Sequence, residues 1–195
     1  MRLPWAGAVV AAGIPFLATA SAAWPFGGGS AAMDPPEAPT ELSRAQSLIA
    51  DWPEGSRILA ETLLQEYGVP DEAGPSRLSW TNRNPWKKME VERDALDPAR
   101  ATGVLQSVAY DVPLRRWRAL GWFGRGVDYD PVTRELIART RSEATNFLAL
   151  NLADEVIRGR RTAEEARALY DETLALSLAG KSSPYMRRLL FRPQN

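Results

Sequence analysis

The sequence predicts an α+β fold, with a small, mostly antiparallel sheet of about five strands covered by helices and a C-terminal antiparallel helix pair. The predicted elements follow the order helices, hairpin, strand, short helix, hairpin and two helices, which is not the alternation of a parallel α/β sheet. Two polar turns are each flanked by stretches of strand-like alternation. Two capped amphipathic segments joined by about four residues predict the helix pair.

Residues 1–22 are typical of a secretory signal peptide, because one arginine precedes an apolar run and a small-residue cleavage pattern at 18–22. A cleaved signal peptide predicts a periplasmic or secreted protein. The alternative is an uncleaved anchor, since residues 3–33 carry no charge. Residues 23–40 are rich in Pro, Gly and Ala and predict a linker.

A single α+β domain is expected over residues 41–180, with regular structure beginning near Thr40. Ser43-x-x-Gln46 is a possible capping box for the first helix. A second helix begins near Asp51-Trp52-Pro53-Glu54, carries apolar residues at helical spacing, and ends at Gly68-Val69-Pro70.

The middle of the chain alternates with the period of strands. Two strands flank a polar turn, a loop and a third strand follow, Pro113 opens a short helix, and a second hairpin surrounds the turn at Pro131. The strand segments are, in order, residues 77–80, 85–93, 104–112, 127–130 and 135–140, and the loop is 94–103.

Two long helices complete the domain. Thr140-x-x-Glu143 resembles a capping box, and the helix after it has an unusually wide apolar surface that ends at Gly159. Thr162-x-x-Glu165 caps the last helix. Residues 181–195 form a basic amphipathic tail without an acidic residue.

Composition excludes several kinds of site. The chain has no Cys and no His, so disulfides, thiolate metal sites, Ser-His-Asp catalysis and HExxH catalysis are absent. Lys+Arg and Asp+Glu are both 24, and this balance does not favour a nucleic-acid partner. No metal-binding loop of the DxDxDG type is present, and no cofactor or metal is expected.

Several segments resemble an uncharacterised family of bacterial proteins. The resemblance covers roughly residues 57–171 and implies no activity or catalytic residue, because no activity is assigned to the family. Relatives carry histidines in the region matching 94–103, and this chain has none there. The segments that carry it are Tyr67-Gly68-Val69-Pro70, Leu78-Ser79-Trp80, Pro85-Trp86-Lys87-Lys88, residues 140–153 (TRSEATNFLALNLA) and Gly159-Arg160-Arg161-Thr162.

An arginine and aromatic cluster is one candidate binding site, since guanidinium groups beside aromatic rings suit anionic ligands. Asn146 is added as a residue that lines a polar groove beside Arg139 or Arg141. The favoured alternative makes Leu114 and Trp117 core anchors and the arginines a solvated surface. The candidate binding residues are Arg115, Arg116, Arg118, Trp122, Arg125 and Asn146.

Acidic residues are a second candidate, because paired carboxylates can hydrolyse glycosides without histidine. The acids in question are Asp128, Asp130, Glu135 and Glu143. The alternatives are that the aspartates frame the Pro131 turn and that Glu143 belongs to the helix cap. No catalytic residue is therefore assigned. Asn151, between two leucines, is expected to be a buried amide with a structural role.

The tail is a third candidate, for docking into a partner or onto an anionic membrane. The alternative is that it packs along its own domain. The residues proposed for partner or membrane contact are Arg187, Arg188, Leu189, Leu190, Phe191 and Arg192.

These observations favour an exported, non-enzymatic binding protein of the bacterial cell envelope, whose partner is an unidentified envelope protein or an anionic ligand. One alternative is a carboxylate-dependent hydrolase of envelope polysaccharide. Another is a peripheral membrane-surface protein that uses its tail. Catalysis predicts two acids that converge in a cleft, one of them shielded by Trp122 or Tyr129 so that its pKa is raised. Binding predicts no such convergence and an exposed apolar patch.

Overall fold

The computed structural model describes residues 40–94 and 103–194. The predicted signal peptide and nearly all of the predicted linker lie outside the described residues, as does most of the loop predicted at 94–103.

The described residues form five α-helices that follow the predicted order. Thr40 begins the first, because its hydroxyl oxygen accepts a hydrogen bond from the backbone N–H of Ser43 at 3.2 Å. Ser43 itself therefore lies inside the helix, and the capping box predicted to begin there is wrong. The helices are α1 (Glu41–Ile49), α2 (Glu54–Tyr67), α3 (Trp117–Phe123), α4 (Glu143–Arg158) and α5 (Ala163–Leu178).

Six antiparallel strands form one sheet in the order β1-β2-β3-β4-β6-β5. The predicted α+β class and both hairpins are confirmed, and the sheet has one more strand than expected. The additional strand is β1, which is only two residues long. The strands are β1 (Glu72–Ala73), β2 (Arg77–Arg83), β3 (Trp86–Glu92), β4 (Val104–Ala109), β5 (Val127–Asp130) and β6 (Glu135–Thr140).

The core lies between the sheet and the helices. Helix α2 packs against β2 and β3, and α4 packs against β4 and β6. Alternate strand residues such as Trp80, Met89 and Leu136 are fully buried. Charged side chains occupy the intervening positions of β3, where Lys88 and Glu90 form an ion pair at 2.7 Å.

Helix α4 is the most buried helix, which agrees with its predicted wide apolar surface. A left-handed Gly159 ends it, and Thr162 and Glu165 form the predicted capping box at the start of α5. None of the helices within residues 40–94 and 103–194 is long and apolar enough to cross a membrane.

The start of α4 differs from the prediction. Ser142, not Thr140, caps the helix, since its hydroxyl oxygen accepts from the backbone N–H of Thr145 at 3.2 Å. The hydroxyl of Thr140 instead donates to the side-chain oxygen of Asn146 at 2.7 Å. Glu143 therefore has no role as the acid of a capping box, and its carboxylate is available for other partners.

Candidate functional site

The carboxylate of Glu143 joins three elements of the fold. Its Oε1 accepts hydrogen bonds from the Tyr67 hydroxyl at 2.5 Å, the Trp86 indole N–H at 2.5 Å and the Gln106 amide at 3.1 Å. These donors come from α2, β3 and β4. The ring of Trp86 also stacks on Phe147 of α4, with centroids 4.9 Å apart. The start of α4 is thereby fixed against the sheet and against the end of α2.

Buried amides extend this network into the interior. The Asn146 amide donates to the side-chain oxygen of Gln106 at 2.8 Å and to the carbonyl of Val104 at 3.0 Å. Gln106 and Asn146 are both 0% exposed. The predicted position of Asn146 in a polar groove is therefore wrong, and its amide holds α4 to β4.

A second carboxyl group lies against Glu143. Glu66 is largely exposed, but partial desolvation of its carboxyl group raises its pKa, and the charge of Glu143 raises it further. Burial and the same carboxylate also raise the pKa of the Tyr67 hydroxyl. The neutral form of Glu66 is therefore more favoured than that of an ordinary glutamate.

Glu66 and Tyr67 line a cleft of about 680 Å³ between the end of α2, the β2–β3 turn, α4 and the tail. Its walls are largely apolar, and the charged side chains at its rim are mostly cationic. The apolar and neutral lining residues include Tyr67, Pro85, Phe147, Leu189, Phe191 and Pro193. The charged lining residues are Arg83, Arg187, Arg188, Arg192 and Glu66.

The four arginines of the cleft differ in their partners. Arg83 forms an ion pair with Asp71 at 3.0 Å, and Arg187 donates to the Ser182 hydroxyl at 2.6 Å. Arg188 and Arg192 are exposed and have no side-chain hydrogen bond or ion pair with any described residue. The cleft therefore presents two unpaired guanidinium groups beside an apolar wall.

A buried amide of α4 makes three of the hydrogen bonds that hold the tail over this cleft. Asn151 of α4 donates to the carbonyls of Tyr185 and Arg188 at 2.9 and 2.8 Å, and its oxygen accepts from the N–H of Leu190 at 2.7 Å. Phe191 packs edge-on against Tyr110, with ring centroids 5.4 Å apart. Asn151 is 2% exposed, as expected for a structural amide.

The tail therefore packs along its own domain. Of the tail residues predicted for partner or membrane contact, all but Leu190 line the cleft, and Leu190 is exposed. Leu189 and Phe191 pack partly against the core.

The arginine and aromatic cluster lies on and around α3, and none of its residues lines the cleft. Leu114 is 74% exposed and Trp117 is 39% exposed, so the prediction that both are core anchors is wrong. Leu120 and Phe123 are the buried anchors of α3 instead.

The arginines of this cluster do not assemble into one site. Arg125 forms an ion pair with Asp171 at 2.5 Å and lies over the ring of Tyr170. The Arg116 guanidinium lies beside Gly159, at the end of α4. Arg115 and Arg118 remain exposed with Trp122.

The acids predicted as a catalytic set do not converge. Asp130 accepts from the backbone N–H groups of Val132 and Thr133, so it frames the Pro131 turn, which was the alternative interpretation. Glu135 accepts from the Ser107 hydroxyl at 2.7 Å and pairs with Lys87 at 3.0 Å. No group of three or more acidic side chains in the described ranges could hold a metal ion.

Sequence reasoning missed Glu66 and Tyr67 as site residues. The only available signal was their place at the end of a helix, immediately before the Gly68-Val69-Pro70 stop. Comparisons with models of known families, with curated proteins and with solved structures find no match for this chain. The function is therefore inferred from the residues of the cleft.

Proposed function

We propose that this protein is a non-enzymatic binding protein of the bacterial cell envelope, and that it holds an anionic ligand with an apolar part in the cleft between the tail and α2. The observation that carries this proposal is the pair of unpaired guanidinium groups, Arg188 and Arg192, at the rim of the cleft. Guanidinium groups recognise phosphate, sulfonate and carboxylate groups through paired hydrogen bonds.

The acid in the cleft opposes an anion less than an ordinary glutamate does, because its pKa is raised. Within residues 40–94 and 103–194, Glu66 is the only carboxyl group that lines the cleft, and Glu143 raises its pKa. In its neutral form Glu66 carries no charge to repel an anion, and its O–H can donate a hydrogen bond to one.

The cleft walls favour a ligand that also has an apolar part. Phe147, Leu189, Phe191 and the ring of Tyr67 line the cleft and are partly buried against the core. A volume of about 680 Å³ accommodates a small organic molecule with a charged group.

The test uses 1-naphthyl phosphate as the probe, because it combines a phosphate with a flat apolar ring. Isothermal titration calorimetry of the full chain at low salt is expected to detect binding at one site. Replacing both free arginines (Arg188→Glu with Arg192→Glu) should weaken binding at least about tenfold, since charge-assisted hydrogen bonds are lost.

The matched control reverses two exposed arginines outside the cleft, Arg160→Glu with Arg167→Glu. This control changes the net charge equally and should bind like the parent. Equal weakening in the two double variants, or no binding by the parent, would contradict the proposal.

A second candidate is carboxylate-dependent hydrolysis of envelope polysaccharide, and the contact of Glu66 with Glu143 favours it. Glu143 raises the pKa of Glu66, and a carboxyl group with a raised pKa beside a second carboxyl group is the arrangement that glycosidases use. Release of reducing ends from peptidoglycan by the parent, with none by Glu66→Gln, would establish the hydrolase. Absence of release from both leaves the binding protein as the better proposal.

A further inference from the structure

An exposed face of α3 and the turn before it carries large apolar side chains without a covering element among the described residues. Arg118 and Trp122 are four residues apart in α3 and lie on one side of it, and Leu114 lies in the 3₁₀ turn immediately before the helix. Leu114 and Trp122 are 74% and 65% exposed. Together with Arg115 we call these residues the α3 face.

The side of α3 opposite the α3 face packs into the core. Leu120 and Phe123, on the opposite side of the helix, are buried, and Phe123 packs edge-on against Tyr170 of α5. The indole N–H of Trp117 donates to the carbonyl of Val112 at 2.9 Å. The exposure of Leu114 and Trp122 is therefore built into the packing of the helix and does not come from a frayed end.

The charges on the α3 face are cationic and free. Arg115 and Arg118 are exposed and have no side-chain partner among residues 40–94 and 103–194, and neither has the indole N–H of Trp122. Two acids on segments that adjoin α3 have partners. Asp111 accepts from the Tyr129 hydroxyl at 3.4 Å, and Asp171 pairs with Arg125.

We propose that the α3 face docks reversibly on an anionic lipid surface. Tryptophan and leucine side chains insert at the level of the lipid headgroups, and the indole N–H finds acceptors there. Arg115 and Arg118 complement the negative charge of the headgroup phosphates. Because this apolar surface is small, binding depends on both the inserted side chains and the arginines.

This proposal stands apart from the anion cleft. No residue of the α3 face lines the cleft, and the tail, which the sequence suggested as the membrane contact, lies along its own domain. Failure of one proposal therefore leaves the other in place.

The test is sedimentation of the full chain with vesicles of phosphatidylglycerol and phosphatidylcholine in equal parts, compared with pure phosphatidylcholine. The parent is expected to sediment with the anionic vesicles only, and added salt should release it. Leu114→Ser with Trp122→Ser, and separately Arg115→Glu with Arg118→Glu, should each lower the partition coefficient at least about tenfold.

Two controls identify the surface that binds. Leu178→Ser removes another highly exposed leucine, at the end of α5, and should sediment like the parent. Arg188→Glu with Arg192→Glu tests the cleft and should also sediment like the parent. Circular dichroism of each variant confirms that the fold is retained.

The proposal is overturned if the parent stays in solution with anionic vesicles, or if the variants of the α3 face sediment unchanged. It is also overturned if only the cleft variant loses binding, because the arginines of the cleft would then be the lipid contact. If the parent does not sediment with vesicles but binds an acidic protein through Trp122, the α3 face is a protein interface instead.

Discussion

The Tyr67 hydroxyl donates a 2.5 Å hydrogen bond to the carboxylate of Glu143, which lies 76 positions later in the chain. The bond joins the last residue of α2 to the first residue of α4. The same contact fixes two walls of the anion cleft relative to each other.

Removing the carboxylate should destabilise the domain markedly. Glu143→Ala leaves the hydroxyl of Tyr67, the indole of Trp86 and the amide of Gln106 without their shared acceptor. We expect a loss of about 3 kcal/mol in the free energy of unfolding, measured by urea denaturation. Glu172→Ala, at an exposed position of α5, is the control and should cost less than about 0.5 kcal/mol. Similar losses for both would show that the three donors find other partners.

The stability contributed by Glu66 should depend on pH. Its pKa is raised above the ordinary 4.5, mainly by burial and by Glu143. The neutral acid is therefore favoured in the folded state, and its contribution is complete below pH 4.5 and declines as the pH rises through the raised pKa. Glu66→Gln imitates the neutral acid, so the variant should gain stability over the parent as the pH rises.

The measurement is urea denaturation of parent and Glu66→Gln at about pH 4 and about pH 8, with Glu61→Gln on the same helix as the control. The difference between parent and Glu66→Gln should be larger at the higher pH, and the control should show no such change. A difference independent of pH would mean that Glu66 carries no raised pKa in the folded protein.

Local signals predicted most of the fold because they act over a few residues. The capping box of Thr162 and Glu165 and the turn framed by Asp130 need no distant contact. Strand β1 could not be predicted, since two residues become a strand only by pairing with β2. The start of α4 was misplaced because Thr140 and Ser142 both have the chemistry of a cap.

The candidate site was harder to predict, because distant segments create it. The tail residues were recognised as a group, but contacts with distant residues, among them the amide of Asn151, determine where they lie. Glu66 and Glu143 are far apart in the sequence, so no local residue pattern predicts that they come together. Leu114 and Trp117 were misjudged because a single turn of apolar residues does not reveal which side of a short helix is buried.

Weakening the hydrogen bonds between Asn151 and the tail should make the tail more susceptible to proteolysis. Asn151→Asp keeps an oxygen for the N–H of Leu190 but loses both donors and places a carboxylate beside the carbonyls of Tyr185 and Arg188. Trypsin is expected to cleave after Arg187 and Arg188 at least about tenfold faster than in the parent, since local opening exposes these bonds. Mass spectrometry of the fragments over time checks this.

The control for Asn151→Asp is Gln65→Ala, at an exposed position of α2. It should leave the cleavage rate unchanged. Equal resistance of Asn151→Asp and the parent would show that the packing of Leu189 and Phe191 holds the tail without the amide.

The turn into β5 depends on a glycine. Gly126 has a φ of +77°, and a Cβ there would collide with the carbonyl of Arg139, whose own N–H donates to the Gly126 carbonyl at 2.8 Å. Gly126→Ala must therefore strain the backbone and push β5 away from β6, and we expect a loss of about 2 kcal/mol or more in the free energy of unfolding. Gly180→Ala is the control that separates the strain of a positive φ from the collision of the Cβ, because Gly180 has a similar φ of +81° but open space around it. This control should lower the free energy of unfolding by only about 1 kcal/mol. The free energy of unfolding of both variants is measured by urea denaturation. Equal losses for Gly126→Ala and Gly180→Ala would mean that the collision with Arg139 is relieved without a free-energy cost, and that Gly126 does not fix the position of β5 at the edge of the sheet.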